Sequence, residues 1–551
     1  MFVDVDTLGD GARLEAEVAI VGAGPAGIVT ALELGRAGID VLLVESGRER
    51  FDPDAQRLSD AAWRSDTHVD MALAVRRQVG GTSTIWGGRC VPYDPIDFDA
   101  RAIAPDAAWP VAYDEVTPYF GRACEWSVCG RPVFDAQRLP GLAGRTLVPG
   151  LADGELRSSD LERWSLPTRF GSRYRAELEA SDRVRLVAGL TCTRVVADTT
   201  GARVDRLTTR TLDGKQVEVH ARRYVLAANG LETTRLLLAS GLGDASGHLG
   251  RWYMAHTAGR IAVVRFTTDP RETIYDHERD EDGVYVRRRL SFSRDVLQRS
   301  GLPNIVFWLV NPELGDPGHR SGVLSFAYLA LSSPLGRFFA PAAIRASMTK
   351  SAVPGSRRAH AANVVRDLPR AVAFALSFGY RRFLKRGRRA PGFFTYSPSN
   401  TYLLQYHGEH LPNADSRVSL SDELDAVGMP RLAVDMRFSD ADVDGVVRAH
   451  RELDEQLRRA GVGRLEYLAE DLGASVRAQL EGGYHQTGTT RMSARPEDGV
   501  VDPDLAVHGC EGLYVASGSA FPTSSQANTT FMVVAFALRL ADHLRELREA
   551  T

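Results

Sequence analysis

Cysteine is scarce in this chain: five among 551 residues, at Cys90, Cys124, Cys129, Cys192 and Cys510. So few and so scattered, they exclude a disulfide scaffold. Only Cys124 and Cys129 lie close together, so no metal site is expected, and reduced structural thiols are the simpler reading. Lysine is scarcer still, at Lys215, Lys350 and Lys385, and nearly all of the 67 basic residues are arginine; this bias is compositional and carries no chemical weight. No apolar run reaches the roughly 20 residues of a spanning helix. The opening MFVDVDTLGDGARLEAEVAIVGAG has no basic n-region, no apolar leader core and no twin arginine. A soluble cytoplasmic protein is the expectation. An excess of either charge is also missing: the formal net charge is -3, which gives no reason to expect a nucleic-acid partner. Apolar material is plentiful at 44% of residues, enough for a large core and against a mostly disordered chain. At about 150 residues per domain, the length suggests three or four domains or one large interleaved unit.

The first motif is a strand, a glycine turn and a helix. Residues 17–21 read EVAIV, then come Gly22, Gly24 and Gly27 in G-x-G-x-x-G spacing, then a stretch with Ile28, Leu32 and Leu34 on helical repeat. A second apolar run at 41–44 ends on Glu45. This is a dinucleotide fingerprint: Gly22 permits the tight turn, Gly24 lets the backbone approach a pyrophosphate, Gly27 allows close packing, and Glu45 can accept from ribose hydroxyls. The motif does not separate FAD from NAD.

Residues 76–90, RRQVGGTSTIWGGRC, place Gly80, Gly81, Gly87 and Gly88 around Thr82, Ser83, Thr84 and Trp86. Small and hydroxyl residues suit a backbone pressed against a flat ring or a phosphate. A flexible loop is the plainer alternative, but Ile85 and Trp86 are costly to leave in water. A second such loop shifts the weight toward FAD. Near the C-terminus GGYHQTGTTRMS precedes SGSAFPTSSQANTTFMVVAFALRLADHL, whose Phe531, Val534, Ala535 and Leu538 follow a helical repeat. Asn528, Thr529 and Thr530 stand where caps belong, and Asn528 reads locally as an N-cap.

Four blocks in order carry a resemblance: VAIVGAGPAGIVTALELGRAGIDVLLVESG; GGTSTIWGG with WPVAYDEVTPYF; TRVVAD with YVLAANGLETTRLLLASG; and YHQTGTTRMS through ANTTFMVVAFALRLADHL. LPNADSRVSLS is a weaker fifth. The chain resembles the glucose-methanol-choline (GMC) flavin oxidoreductases, closest to the pyranose-oxidase and glycoside-oxidase branch. The resemblance implies an α/β fold: a Rossmann-like FAD-binding domain, discontinuous in sequence, with an interleaved α+β substrate domain built on an antiparallel sheet. Its pieces would be 1–130, 184–254 and 481–551 for FAD, with 131–183 connecting and 255–480 facing substrate. It also implies His485 as catalytic base and Asn528 as the second active-site residue. Glu45 would be the ribose acid. Gly81, Thr82 and Gly87 would lie along the flavin, Val195 near the adenine, Ser517 and Gly518 beside flavin and phosphates, and Thr530 near the isoalloxazine.

Two departures carry information. Ile85 stands where pyranose oxidases bear the histidine that bonds to the flavin, so noncovalent FAD is expected. Gly87 replaces a threonine beside the flavin, which puts rapid use of oxygen in doubt. Residues 267–396 match no part of the family. Within them 357–389 carries ten basic residues and one acid, Asp367. Such a stretch can lie on an anionic membrane or grip a partner; a solvated helical insertion is the favoured reading. His407 and His410 have metal-pair spacing but read as partly exposed strand-end residues near the pocket. Strands are expected at 184–187, 193–196, 204–210 and 217–219, with 400–440 strand-rich and 440–480 helical.

The function expected is oxidation of a secondary alcohol of a sugar or glycoside to a ketone. His485 would take the hydroxyl proton while flavin N5 takes the hydride, and oxygen or a quinone-like acceptor would reoxidise the flavin. The alternatives are a tailoring dehydrogenase for a natural-product, polyol or steroid hydroxyl, a GMC-type lyase, and a non-catalytic flavin-binding subunit. The substrate, the acceptor and the oligomeric state are not legible.

Overall fold

The apolar run before the glycine turn is the buried second half of a ten-residue strand, Ala12–Val21. Helix Pro25–Arg36 follows, with Pro25 in its first turn, where a missing N–H costs nothing. Strand Val41–Glu45 is buried throughout and pairs in parallel with the first, Val18 opposite Val41. In the computed structural model, which describes residues 1–340, 342–349 and 355–550, these strands lie within an eight-stranded sheet. Its order is Phe2–Val3, Val184–Ala188, Val41–Glu45, Ala12–Val21, Gln216–Leu226, Val204–Arg210, Thr191–Ala197, with Leu513–Val515 beside Gln216–Leu226. The sheet therefore gathers strands from both ends of the chain and its middle, the discontinuity expected of the dinucleotide fold. The expected strand at 217–219 is part of the longer Gln216–Leu226, which pairs in parallel with Ala12–Val21 from Val217 to Leu226. The C-terminal helix Thr530–Glu549 packs on Pro25–Arg36.

A second sheet has six strands, Gly463–Tyr467, His256–Phe266, Thr401–Glu409, Ile305–Val310, Leu290–Phe292 and Leu156–Arg157, every neighbour antiparallel. One face packs Leu404, Tyr406 and Phe307 against Val446, Leu453 and Leu457 of helix Asp440–Arg459. Side chains alternate along a strand, so the other face presents His407, its partners Ala258 and Val306, and the residues two positions on, His256 and Trp308. The region 440–480 is not wholly helical: Gly463–Tyr467 lies between helices Asp440–Arg459 and Leu472–Arg477 and closes the sheet edge.

Between strands Ile305–Val310 and Thr401–Glu409 the chain inserts helices Gly322–Leu331, Gly336–Phe339, Ala342–Thr349, Arg357–Arg366 and Leu368–Gly379, the last running into a wide turn at Tyr380–Leu384. Among the described residues no helix is long and apolar enough to cross a membrane.

Candidate active site

The three glycines of the first turn have three different environments. Gly22 has φ +102°, and a Cβ there would meet the Ala227 carbonyl oxygen at 2.6 Å. A Cβ on Gly27 would fall 1.8 Å from the Gly22 oxygen, so close packing alone demands glycine. At Gly24 a Cβ would find only Gly81 Cα, at 4.0 Å. Gly24 is thus glycine where the fold does not require one, beside open space into which helix Pro25–Arg36 directs its N-terminus, the arrangement that cradles a phosphate. The second glycine loop abuts the first: Gly80 N donates to Ala23 O at 2.7 Å, and a Cβ on Gly81 would meet Gly24 Cα at 2.9 Å.

Glu45 is buried at the end of its strand. Its carboxylate accepts from the amides of Ala23 at 2.8 Å and Gly47 at 2.7 Å. Burial raises its pKa, against the pull of those two amides and of Arg77. From Glu45 a cleft of about 1310 Å³, counting its open mouth, runs past Gly22, Gly24, Gly81, Thr82, Ser517, Gly518 and Thr530 to His485. An acid at one end, a glycine cradle in the middle and a histidine at the other end fit an extended dinucleotide such as FAD. Two expected residues stand apart. Gly87 is exposed, with nothing within 4 Å of a Cβ built on it. The Val195 amide donates to Ser240 Oγ at 2.9 Å, and Leu190, Thr191 and Cys192 line that end of the cleft. Val195 itself does not line the cleft, to which its strand contributes Thr191 and Cys192.

At the other end Asn528 Nδ2 lies 2.9 Å from His485 Nε2. An amide nitrogen only donates, so Nε2 accepts and the imidazole proton sits on Nδ1. Asn528 is not the helix cap: the C-terminal helix begins at Thr530, Thr529 is its flanking residue, and no side chain caps it. Asn528 Oδ1 is buried and has no hydrogen-bond partner.

The segment carrying Asn528 is tied down along its length. Ser525 Oγ donates to Asp97 at 2.6 Å, Gln526 Nε2 donates to Asp94 at 2.8 Å, and Trp109 Nε1 donates to Thr523 Oγ1 at 2.9 Å. Its carbonyls orient two further histidines: His256 Nδ1 donates to Ser525 O at 3.0 Å and His407 Nδ1 to Gln526 O at 2.7 Å. Both rings thereby turn an Nε2 lone pair inward, and that of His256 has no hydrogen-bond partner. The His256 and His485 rings meet edge to face at 4.8 Å, and His407 stacks obliquely on His256 at 4.4 Å. His407 is therefore in the pocket wall, whereas His410 is buried elsewhere, accepting from the Ala255 amide and donating to Arg437 O; the two do not form a metal pair.

Burial, aided by the Arg89 guanidinium, lowers His485 to about 4. The same two causes, with His485, take His407 to about 3. All three imidazoles are neutral at ordinary pH. Arg89 shares Glu162 with Arg287, each at 2.5 Å. Burial acts to raise Glu162, but Arg287, Arg89 and Arg289 overcome it and hold the carboxylate at about 2. The Arg89 and Arg287 guanidinium groups lie over the Trp308 ring at 4.9 and 4.4 Å from its centroid. Ligating nitrogens of His256, His407 and His485 lie within 4.8 Å of one another, a donor set able to take a divalent ion; the expectation of no metal weighed the cysteines and the His407–His410 spacing and did not foresee it. The adjacent Arg89 opposes a cation there. Neither His256 nor Arg89 was singled out from sequence.

The FAD-binding domain family model matches residues 15–57, and two models described as GMC oxidoreductase match 173–258 and 412–537. Over an alignment of 614 positions, gaps included, the chain is 22% identical to a 2-methyl-1,2-propanediol dehydrogenase of Mycolicibacterium austroafricanum, covering 96% of this chain and 95% of that one. Over 138 residues it is 35% identical to a C-glycoside 3-oxidase of Microbacterium trichothecenolyticum, covering 24% and 25%. Its fold is similar to that of Aspergillus oryzae RIB40 formate oxidase, with a TM-score of 0.54 at 18% identity over 98% of this chain and 100% of that one.

Proposed function

We propose that this chain, which belongs to the GMC oxidoreductase family and is an FAD-dependent oxidoreductase of alcohols, oxidises a secondary alcohol of a sugar or glycoside to a ketone. The observation that carries the assignment of residues is the pairing of His485 Nε2 with Asn528 Nδ2 at the end of the cleft. FAD, when bound, supplies the acceptor for the hydride. Gly24, Gly81 and Thr82 would hold its phosphates, Glu45 its ribose, and Ser517, Gly518 and Thr530 its flavin end, without a covalent bond at Ile85.

The residues divide the remaining work. His485 is neutral with its lone pair on Nε2, and takes the proton of the substrate hydroxyl; general-base help of this kind contributes about 10²–10⁴-fold. The substrate hydroxyl displaces the Asn528 amide from that lone pair, and the amide donates instead to the hydroxyl oxygen as its charge grows. His256 and His407, fixed by backbone carbonyls, fill the wall opposite and hold the hydroxyl against His485. Burial, aided by Arg89, keeps the imidazoles unprotonated.

The glycoside class rests on the sugar-oxidase resemblance and on the relative named as a C-glycoside 3-oxidase. A non-sugar diol is the second reading, favoured by the nearly full-length match to the propanediol dehydrogenase. Anaerobic mixing with a panel of glycosides and diols decides between them: fast bleaching of the yellow flavin by glycosides supports the proposal, and bleaching by diols alone defeats it. Product formed without bleaching would identify a lyase.

A further inference from the structure

Charge is unevenly divided along this chain. Residues 317–400 hold fourteen of the 67 basic residues and one of the 70 acidic ones, a formal +13 against −16 for everything else. The same stretch holds most of the apolar surface: of the large hydrophobic residues exposed among the described ones, twelve of twenty lie between Phe326 and Tyr396. Coincidence of the two is unusual, because an exposed cationic helix ordinarily turns polar side chains to water.

Helix Leu368–Gly379 and its terminal turn show how this arises. The inward side is satisfied: Ala371 is buried, and Phe374 and Phe378 stack at 5.2 Å and both pack on Phe393. The outward side carries Leu368, Val372, Leu376, Tyr380 and Leu384 at intervals of four, all exposed, Leu376 at 70% and Leu384 at 74%. Phe339, at the end of helix Gly336–Phe339, meets Phe383 edge-on at 5.7 Å, so the two exposed segments form one surface. Arg370, Arg381 and Arg386 stand exposed among these aliphatic side chains.

Three occupants can be compared. Nucleic acid would pair the arginines and leave the aliphatic stripe in water. A second copy presenting the same face would bury the stripe but bring +13 against +13. An anionic bilayer satisfies both features together, with aliphatic side chains at the acyl boundary and guanidinium groups on lipid phosphates. We propose that this helical insertion is a membrane-docking surface that seats the enzyme on anionic lipid. No helix of the described residues is long and apolar enough to cross, so the insertion lies in the interface. This conclusion does not depend on the substrate proposed above.

The test is cosedimentation of the FAD-loaded protein with sucrose-filled vesicles at low salt. Vesicles of equal parts phosphatidylglycerol and phosphatidylcholine should carry it down, and pure phosphatidylcholine should not. Leu376→Glu with Leu384→Glu should abolish binding while leaving flavin content, melting temperature and turnover in solution as in the parent. Arg381→Ser with Arg386→Ser should weaken it by about fivefold per cation removed. No sedimentation, or equal sedimentation with the neutral vesicles, overturns the proposal. A dimer in solution that the leucine pair of substitutions converts to monomer also overturns it, by assigning the face to a second copy.

Discussion

Asn528 Nδ2 approaches His485 Nε2 to 2.9 Å across 43 positions of sequence. The amide fixes the imidazole tautomer whose lone pair is on Nε2, the nitrogen proposed above to receive the substrate proton. His485→Ala should retain FAD and slow flavin reduction by about 10²–10⁴-fold. Asn528→Ala should slow it by about 10²–10³-fold, the usual cost of one donor to a developing oxyanion. On the proposed mechanism the two act on one hydroxyl, and the double variant should then lose less than the product of the single losses. Stopped-flow reduction under anaerobic conditions reads all three.

The depressed basicity of His485 sets a pH profile. Burial first, and Arg89 second, hold it at about 4, so the base is neutral above that value and is lost on acidification through it. With a substrate that does not ionise, kcat/KM should stay flat down to about pH 5 and fall below, not near the 6.5 of a free imidazole. Arg89→Gln removes a cation, eases protonation and should move the acid limb upward. An acid limb at 6.5 in the parent contradicts the assigned environment.

Gly22 and Gly24 should respond differently to alanine. Gly22→Ala places a methyl 2.6 Å from the Ala227 oxygen at φ +102° and should lower the melting temperature of the apoprotein. Gly24→Ala meets nothing nearer than Gly81 Cα at 4.0 Å, so the protein should fold with its parent stability and bind FAD more weakly. Thermal melts of apoprotein and an FAD titration separate the two effects.

Ile85 offers no nucleophile to a flavin. Acid or heat denaturation should therefore release the FAD into the supernatant, where absorbance and fluorescence detect it. Yellow colour remaining in the precipitated polypeptide contradicts this.

The legible part of the site was local in sequence. The spacing of Gly22, Gly24 and Gly27, the acid at Glu45, and His485 and Asn528 each sit in a contiguous block with a recognisable pattern. The wall opposite was not legible because strand pairing assembles it. Arg89 stands beside Trp164, and His407 lies between Ala258 and Val306, pairings between distant stretches that no window of sequence contains. Asn528 was misread locally for a related reason: a polar residue before a helix looks like a cap whether its side chain turns to the helix amides or to a histidine 43 positions away. The insertion was read by its charge, and the four-residue spacing of Leu368, Val372 and Leu376 does not reveal that this side faces outward.

His256 and His407 are oriented by the main-chain oxygens of Ser525 and Gln526. Replacing those two side chains leaves the oxygens in the chain but removes the bonds to Asp97 and Asp94 that hold the segment in place, so the rings keep their acceptors and lose part of what positions them. Changing the length of the segment is different. A single inserted or deleted residue would shift both carbonyls and the Asn528 amide at once, and all three imidazoles would lose their bearings together. The length of that short stretch therefore constrains the three rings jointly, whereas each of its side chains acts on the segment singly.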